Sequence, residues 1–264
     1  MIVSYVIAIL FALVVPVVIG ILLVRRYRIE WMVLLYGALA LFAAQFIQDL
    51  VFSGIGNLLN SGSVGLPAAE FQPLFYAVLI GLITGILHQA ARWGAFRFLK
   101  DRVNSWGGAL TLGAGHGAAE TLLYVGLPMV LTLISVFSLM SNGVESLNLS
   151  PEESASIQGQ LDAFQAMPWY SPLATIVERI LALSTHLLLS VMVWLSFVQK
   201  KKTWLAAAVL WHAFITGVGV FVSTLEWAPW TQAIPWSIFI GINVWLLVLI
   251  YRQLNENKAL NPAE

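Results

Sequence analysis

Long apolar runs separated by short polar connections dominate the chain. Seven stretches approach or exceed the roughly 20 apolar residues that a helix needs to cross a bilayer. They are Ile2–Val24, Trp31–Phe52, Phe71–Ala91, Gly107–Leu127 with an extension, Pro172–Val198, Trp204–Leu225 and Ile234–Tyr251. The pattern predicts an all-α, polytopic membrane bundle of about seven transmembrane helices, formed by residues 1–264 as one integral membrane domain. The first run has no basic residue ahead of it and no evident cleavage site, so it reads as a retained span.

The apolar stretch from Trp106 to Met140 is too long for one perpendicular span. A break or bend is expected near Gly126–Pro128, because proline lacks the backbone donor that a continuous helix uses. The connection at 141–171 carries a short amphipathic helix. Ser150-Pro151-Glu152-Glu153 reads as an N-cap, a proline at the first helical position and a capping-box glutamate. Ile157, Leu161 and Phe164 then fall on one face, fitting a helix on the lipid headgroups or a lid over a cavity.

Composition supports the membrane reading. The 264 residues are 59% hydrophobic and 10% charged, with eleven tryptophans and no cysteine. Disulfides and thiolate chemistry are excluded, and a formal net charge of zero gives no reason to expect nucleic acid. Charge also sets direction. Arg25, Arg26 and Arg28 follow the first span; Arg92, Arg97, Lys100 and Arg102 follow the third. Lys200, Lys201 and Lys202 follow the fifth, and Arg252 and Lys258 the last. The alternate loops carry Glu70, Glu145, Glu152, Glu153, Asp162 and Glu226 and no lysine or arginine. The positive-inside rule places the N-terminus outside and the C-terminus in the cytoplasm.

Few ionisable residues remain inside the spans: His88, His116, Glu120, Glu178, Arg179, His186 and His212, with Asp49 nearer the outer rim. A charge at mid-bilayer costs roughly 2.5–3.5 kcal/mol on insertion scales, so such residues face the bundle interior and mark a site. At about 1.5 Å per helical residue, His116, Glu120, His186 and His212 fall at one depth on three spans; His88 lies nearer the cytoplasmic end. His116 and Glu120 are spaced i,i+4 and project from one face. Glu178 and Arg179 are neighbours that point apart, so each needs a partner on another helix. Gly113 with Gly117, and Gly81 with Gly85, form small-xxx-small pairs that let helices approach closely. Carboxylate and imidazole in a water-accessible cavity suit water activation. Three histidines also suit a divalent metal such as zinc, and a metal-free Glu/His mechanism stays open beside it. A non-catalytic scaffold or a proton-coupled transporter would draw on the same residues.

The segments GAGHGAAETLL, ERILALSTHLLLS and WHAF, starting at Gly113, Glu178 and Trp211, resemble the YhfC family of intramembrane metalloproteases. That family groups with type II CAAX prenyl endopeptidases and bacteriocin-processing enzymes. The resemblance is best over the spans of residues 107–225. It implies catalytic roles for Glu120, His186 and His212, with His116 added; Glu178 and Arg179 are expected to brace the fold or orient substrate. A divalent metal on His116, His186 and His212 is one reading of those three imidazoles, and a membrane-associated protein or peptide is the expected substrate. The expected location is the cytoplasmic membrane of a bacterium, among lipid. Where the related endopeptidases have phenylalanine four residues before the second-motif histidine, this chain has Ala182. Where they often have asparagine or aspartate four after the last, it has Thr216.

Overall fold

The computed structural model describes residues 1–225 and 227–260; Glu226 and the side chain of Lys258 lie outside the described residues. The described residues are helical and contain no strand. In order they form α1 (Ile2–Tyr27), α2 (Met32–Asn60), α3 (Gln72–Leu99), α4 (Trp106–Thr121), α5 (Leu127–Asn142), α6 (Pro151–Ala166), α7 (Ser171–Val198), α8 (Lys202–Ser223) and α9 (Pro229–Leu260). Seven helices are long and apolar enough to cross a membrane, with α4 and α5 joined as one.

That joint is where a break or bend was expected, and the helix is interrupted there without breaking. Leu122–Gly126 form one π turn, and α5 continues with Pro128 in its first turn. The wider turn lets the chain run on where proline withdraws a donor. The whole run from Trp106 to Asn142 is therefore a single 37-residue helix.

α7 is the hub. It packs on α1, α3, α4, α8 and α9. Leu188, Leu189, Val191, Val193 and Leu195 are fully enclosed, as expected of a helical stretch that is apolar on nearly every side after His186. Gly113 sets the spacing to α4: a Cβ there would stand 2.6 Å from the His186 carbonyl oxygen and 2.9 Å from Ser190 Oγ. Gly85 does the same between α3 and α8, where a Cβ would meet the Val209 carbonyl oxygen at 2.6 Å. Both small-residue pairs predicted from the sequence thus bring backbones together, and both do so beside histidines.

α6 forms the expected capping box. The Ser150 hydroxyl accepts from the Glu153 amide, and the Glu153 carboxylate accepts from the Ser150 amide at 3.0 Å and from the Ser150 hydroxyl at 2.8 Å. Its face is not left to the headgroups. Leu161 and Phe164 are buried with Tyr5 and Ile9 of α1 and Val136 of α5, and the Tyr5 and Phe164 rings meet edge to face at 5.2 Å.

Two stability outcomes follow. Gly113→Ala should lower the thermal midpoint in detergent, because overpacking a closed contact costs about 1–3 kcal/mol. Gly159→Ala on α6, where a Cβ meets nothing within 4 Å, should hold or raise it, as Ala is favoured over Gly in a helix by about 0.5–1 kcal/mol. Equal effects would refute close α4–α7 packing. The Ser150 hydrogen bonds also hold the Glu153 carboxyl below its ordinary range. Their contribution is complete above the usual glutamate pKa and fades as pH falls through the depressed value. A carboxyl 13C titration should show Glu153 return to the ordinary range in Ser150→Ala.

Candidate functional site

All four histidines of the chain meet in one place. The ring centroids of His116 and His186 are 4.8 Å apart, His88 and His212 5.2 Å, His88 and His116 5.3 Å, and His186 and His212 5.8 Å. They come from α3, α4, α7 and α8, and each is buried, with 6% exposure at most. His88 had ranked as the outlier by depth, yet it lies inside the cluster. Its Nδ1 is 3.1 Å from His116 Nε2.

Glu120 joins the cluster across the α4–α7 contact. Its Oε2 accepts from His186 Nε2 at 2.5 Å, and its Oε1 is 3.6 Å from the Arg179 guanidinium. The glutamate side chain is 25% exposed and Arg179 16%. About two turns of α7, from Arg179 to His186, therefore deliver both the countercharge and the imidazole to one carboxylate. Glu178 departs from the expectation. Rather than finding a partner on another helix, its carboxylate lies 3.9 Å from its own neighbour, Arg179. Asp49 stays apart, hydrogen-bonded to Gln45 on α2.

The other nitrogen of His186 reveals what the sequence reading missed. Arg92 was counted among the cations that follow the third span. It is instead fully buried within α3, and its guanidinium contacts His186 Nδ1. The same guanidinium donates to Gln89 Oε1 at 2.9 Å, and the Gln89 amide nitrogen is 2.9 Å from His212 Nδ1. Gln89 is also fully buried. The signal was present in the order His88-Gln89-x-x-Arg92. Those three positions share a helical face by i,i+3 and i,i+4 spacing, but a cation near a span end reads as a loop charge. Asn243 of α9 was missed too. It donates to Ser184 Oγ and Thr185 Oγ1 and accepts from Trp211 Nε1, tying α7, α8 and α9 together beside His186 and His212.

A cavity of about 290 Å³ reaches the cluster. Glu120, His186 and His212 line it, with Arg179, Thr216 and Trp236. His212 and Ser223 both line it. Eleven residues of α8 separate them, so it extends about 16 Å along that helix. Ala182 and Thr216, the two positions where the sequence departs from the related endopeptidases, also line it.

A metal tripod of His116, His186 and His212 does not fit this arrangement. A ligating imidazole needs one nitrogen free for the ion. His186 has none, since Arg92 holds Nδ1 and Glu120 holds Nε2. Among the described residues no three histidine or acidic side chains converge as a metal-holding group. His88 Nε2 and His116 Nδ1 are buried without partners. Because the two rings bond each other, one of these nitrogens carries a proton and the other does not, so they are not two matched ligands.

Fold and site together define a polytopic integral membrane protein with a buried histidine–glutamate centre opening into a cavity. The chain belongs to the YhfC family: the model of the YhfC intramembrane metalloprotease family matches residues 10–228. The membrane protein YhfC of Bacillus subtilis (strain 168) is 25% identical over 189 residues, covering 72% of each chain. No solved structure matches. The family's description implies a metal, which the hydrogen bonding of this site does not accommodate.

Two measurements check the site. Asn243→Leu leaves Thr185 Oγ1 and Trp211 Nε1 without their recorded partner, while Ser184 Oγ keeps its bond to the Leu181 carbonyl; at about 1–3 kcal/mol for a buried group left unpaired, the change should lower the thermal midpoint and shift Trp211 fluorescence. Chelation by EDTA should leave the midpoint of the purified protein unchanged, with zinc well below one per chain by elemental analysis. A chelator-sensitive midpoint restored by zinc would overturn the misfit.

Proposed function

We propose that the protein is an intramembrane protease that hydrolyses a peptide bond of a membrane-associated protein or peptide. The observation that carries this is the 2.5 Å contact between Glu120 Oε2 and His186 Nε2 on a cavity wall that His212 shares. A carboxylate beside a water-accessible space can take a proton from water, and a desolvated setting strengthens each charge interaction.

Glu120 removes a proton from the attacking water as its oxygen bonds to the scissile carbonyl carbon. The carbonyl oxygen then carries the negative charge, and the N–H of His212 stabilises it, while His186 keeps its own N–H on Glu120. When the tetrahedral intermediate collapses, the carbon–nitrogen bond breaks, and the proton on Glu120 passes to the leaving amine. Arg179 keeps countercharge beside the carboxylate throughout. Glu178 and Arg179 line the cavity and orient the substrate. His116 supports His186 through ring contact and His88 through a hydrogen bond. No step requires a metal. The family description names a protease, which supports this reading over a carrier or scaffold.

The test uses the full chain in lipid vesicles with a panel of quenched fluorescent transmembrane peptides. Glu120→Gln keeps the shape of the side chain and removes the base. It should lower cleavage by about 100- to 10,000-fold, the span of general-base catalysis. Cleavage at the wild-type rate by this variant would end the proposal.

A further inference from the structure

Arg92 is a cation enclosed at the centre of a membrane protein, and among the described residues no carboxylate lies within ion-pair distance of it. Helix formation does not call for it. Among the described residues its terminal nitrogens hydrogen-bond only to Gln89 and His186, and its Nε has no partner. We propose that Arg92 and Gln89 are positioning residues that fix which ring nitrogen of His186 and of His212 carries the proton.

The assignment follows from what each group can do. A guanidinium donates and never accepts. His186 Nδ1, which faces it, must therefore be the unprotonated nitrogen. A neutral imidazole then bears its proton on Nε2, and that proton lies on the 2.5 Å contact to Glu120. Gln89 relays the same polarity. Its Oε1 accepts from Arg92, so its amide end faces His212 and donates to Nδ1 at 2.9 Å. The His212 proton is left on Nε2, the nitrogen not bonded to Gln89, on a ring that lines the cavity. One guanidinium thereby turns two imidazoles into donors toward the space where Glu120 stands. A protonated Nδ1 on His186 would set donor against donor at Arg92, so His186 is confined to donating and Glu120 is the base. This rests on the protease reading for its catalytic meaning, whereas the tautomers stand on hydrogen bonding alone.

The chain has four histidines, so imidazole 15N spectra of the full-length labelled protein in detergent can be assigned by single replacements. Both His186 and His212 should give an unprotonated, pyridine-like Nδ1 and a protonated, pyrrole-like Nε2. Gln89→Glu keeps the shape and offers only acceptors, so His212 Nδ1 should become protonated while His186 is unmoved. Arg92→Lys keeps a donor and should preserve the His186 pattern, which Arg92→Met should lose. A protonated Nδ1 on either ring of the wild-type protein overturns the proposal without any variant having to fold. So does a His212 pattern unaltered in Gln89→Glu. The outcome is separable from the protease test: if Glu120→Gln cleaves normally and the tautomers are as stated, only the catalytic reading falls.

Discussion

An ionised group in hydrocarbon must find a partner inside the protein, and this constraint organises the bundle. Arg92, His186, Glu120 and Arg179 form an unbroken run of polar contacts across α3, α7 and α4. Two cations flank one carboxylate, with a neutral ring between the carboxylate and the deeper cation. Removing one partner from such a buried set leaves another uncompensated, a loss of about 3–5 kcal/mol for buried pairs. The helices that carry these groups are accordingly held at close approach. Gly113 brings α4 onto α7 at His186, and Gly85 brings α3 onto α8 near His212.

The division of labour among helices follows from that. α7 lies at the centre and supplies the imidazole that touches Glu120. α4 supplies the carboxylate and, through its π turn, continues beyond the site without a break. α3 presents only its polar edge, His88, Gln89 and Arg92, to the cluster, and otherwise packs on α8 and α2. α9 is fastened through Asn243 to residues next to the two cavity-facing histidines. The amphipathic α6 sits on α1 and α5, among residues that do not line the cavity.

The hydrogen-bond polarity of the cluster bears on the family's chemistry. The family is described by a metal-dependent activity, but the ring nitrogens of His186 are both engaged by protein groups. A donor-rich centre with one carboxylate is suited to acyl chemistry in which charge develops on a carbonyl oxygen. The same centre is poorly suited to gathering three lone pairs around an ion.

Much of this was legible in the sequence, for a definite reason. Spans, the capping box at Ser150 and the small-residue pairs are local patterns whose meaning is set by helix periodicity and by lipid. The i,i+4 pair His116 and Glu120 also needs no tertiary information. Depth along each helix follows from rise per residue, which is why Glu120, His186 and His212 could be placed at one level. What depth cannot supply is rotation. His88 lay off that level and Arg92 appeared to be a loop cation, and only the facing of α3 against α7 and α8 turned both inward. The sequence by itself determined a seven-span bundle with ionisable residues at its centre, because apolar length and the cost of buried charge are properties of the chain. Tertiary structure alone decided which nitrogen meets which partner, because hydrogen bonding acts over 3 Å between residues as far apart as 89 and 212.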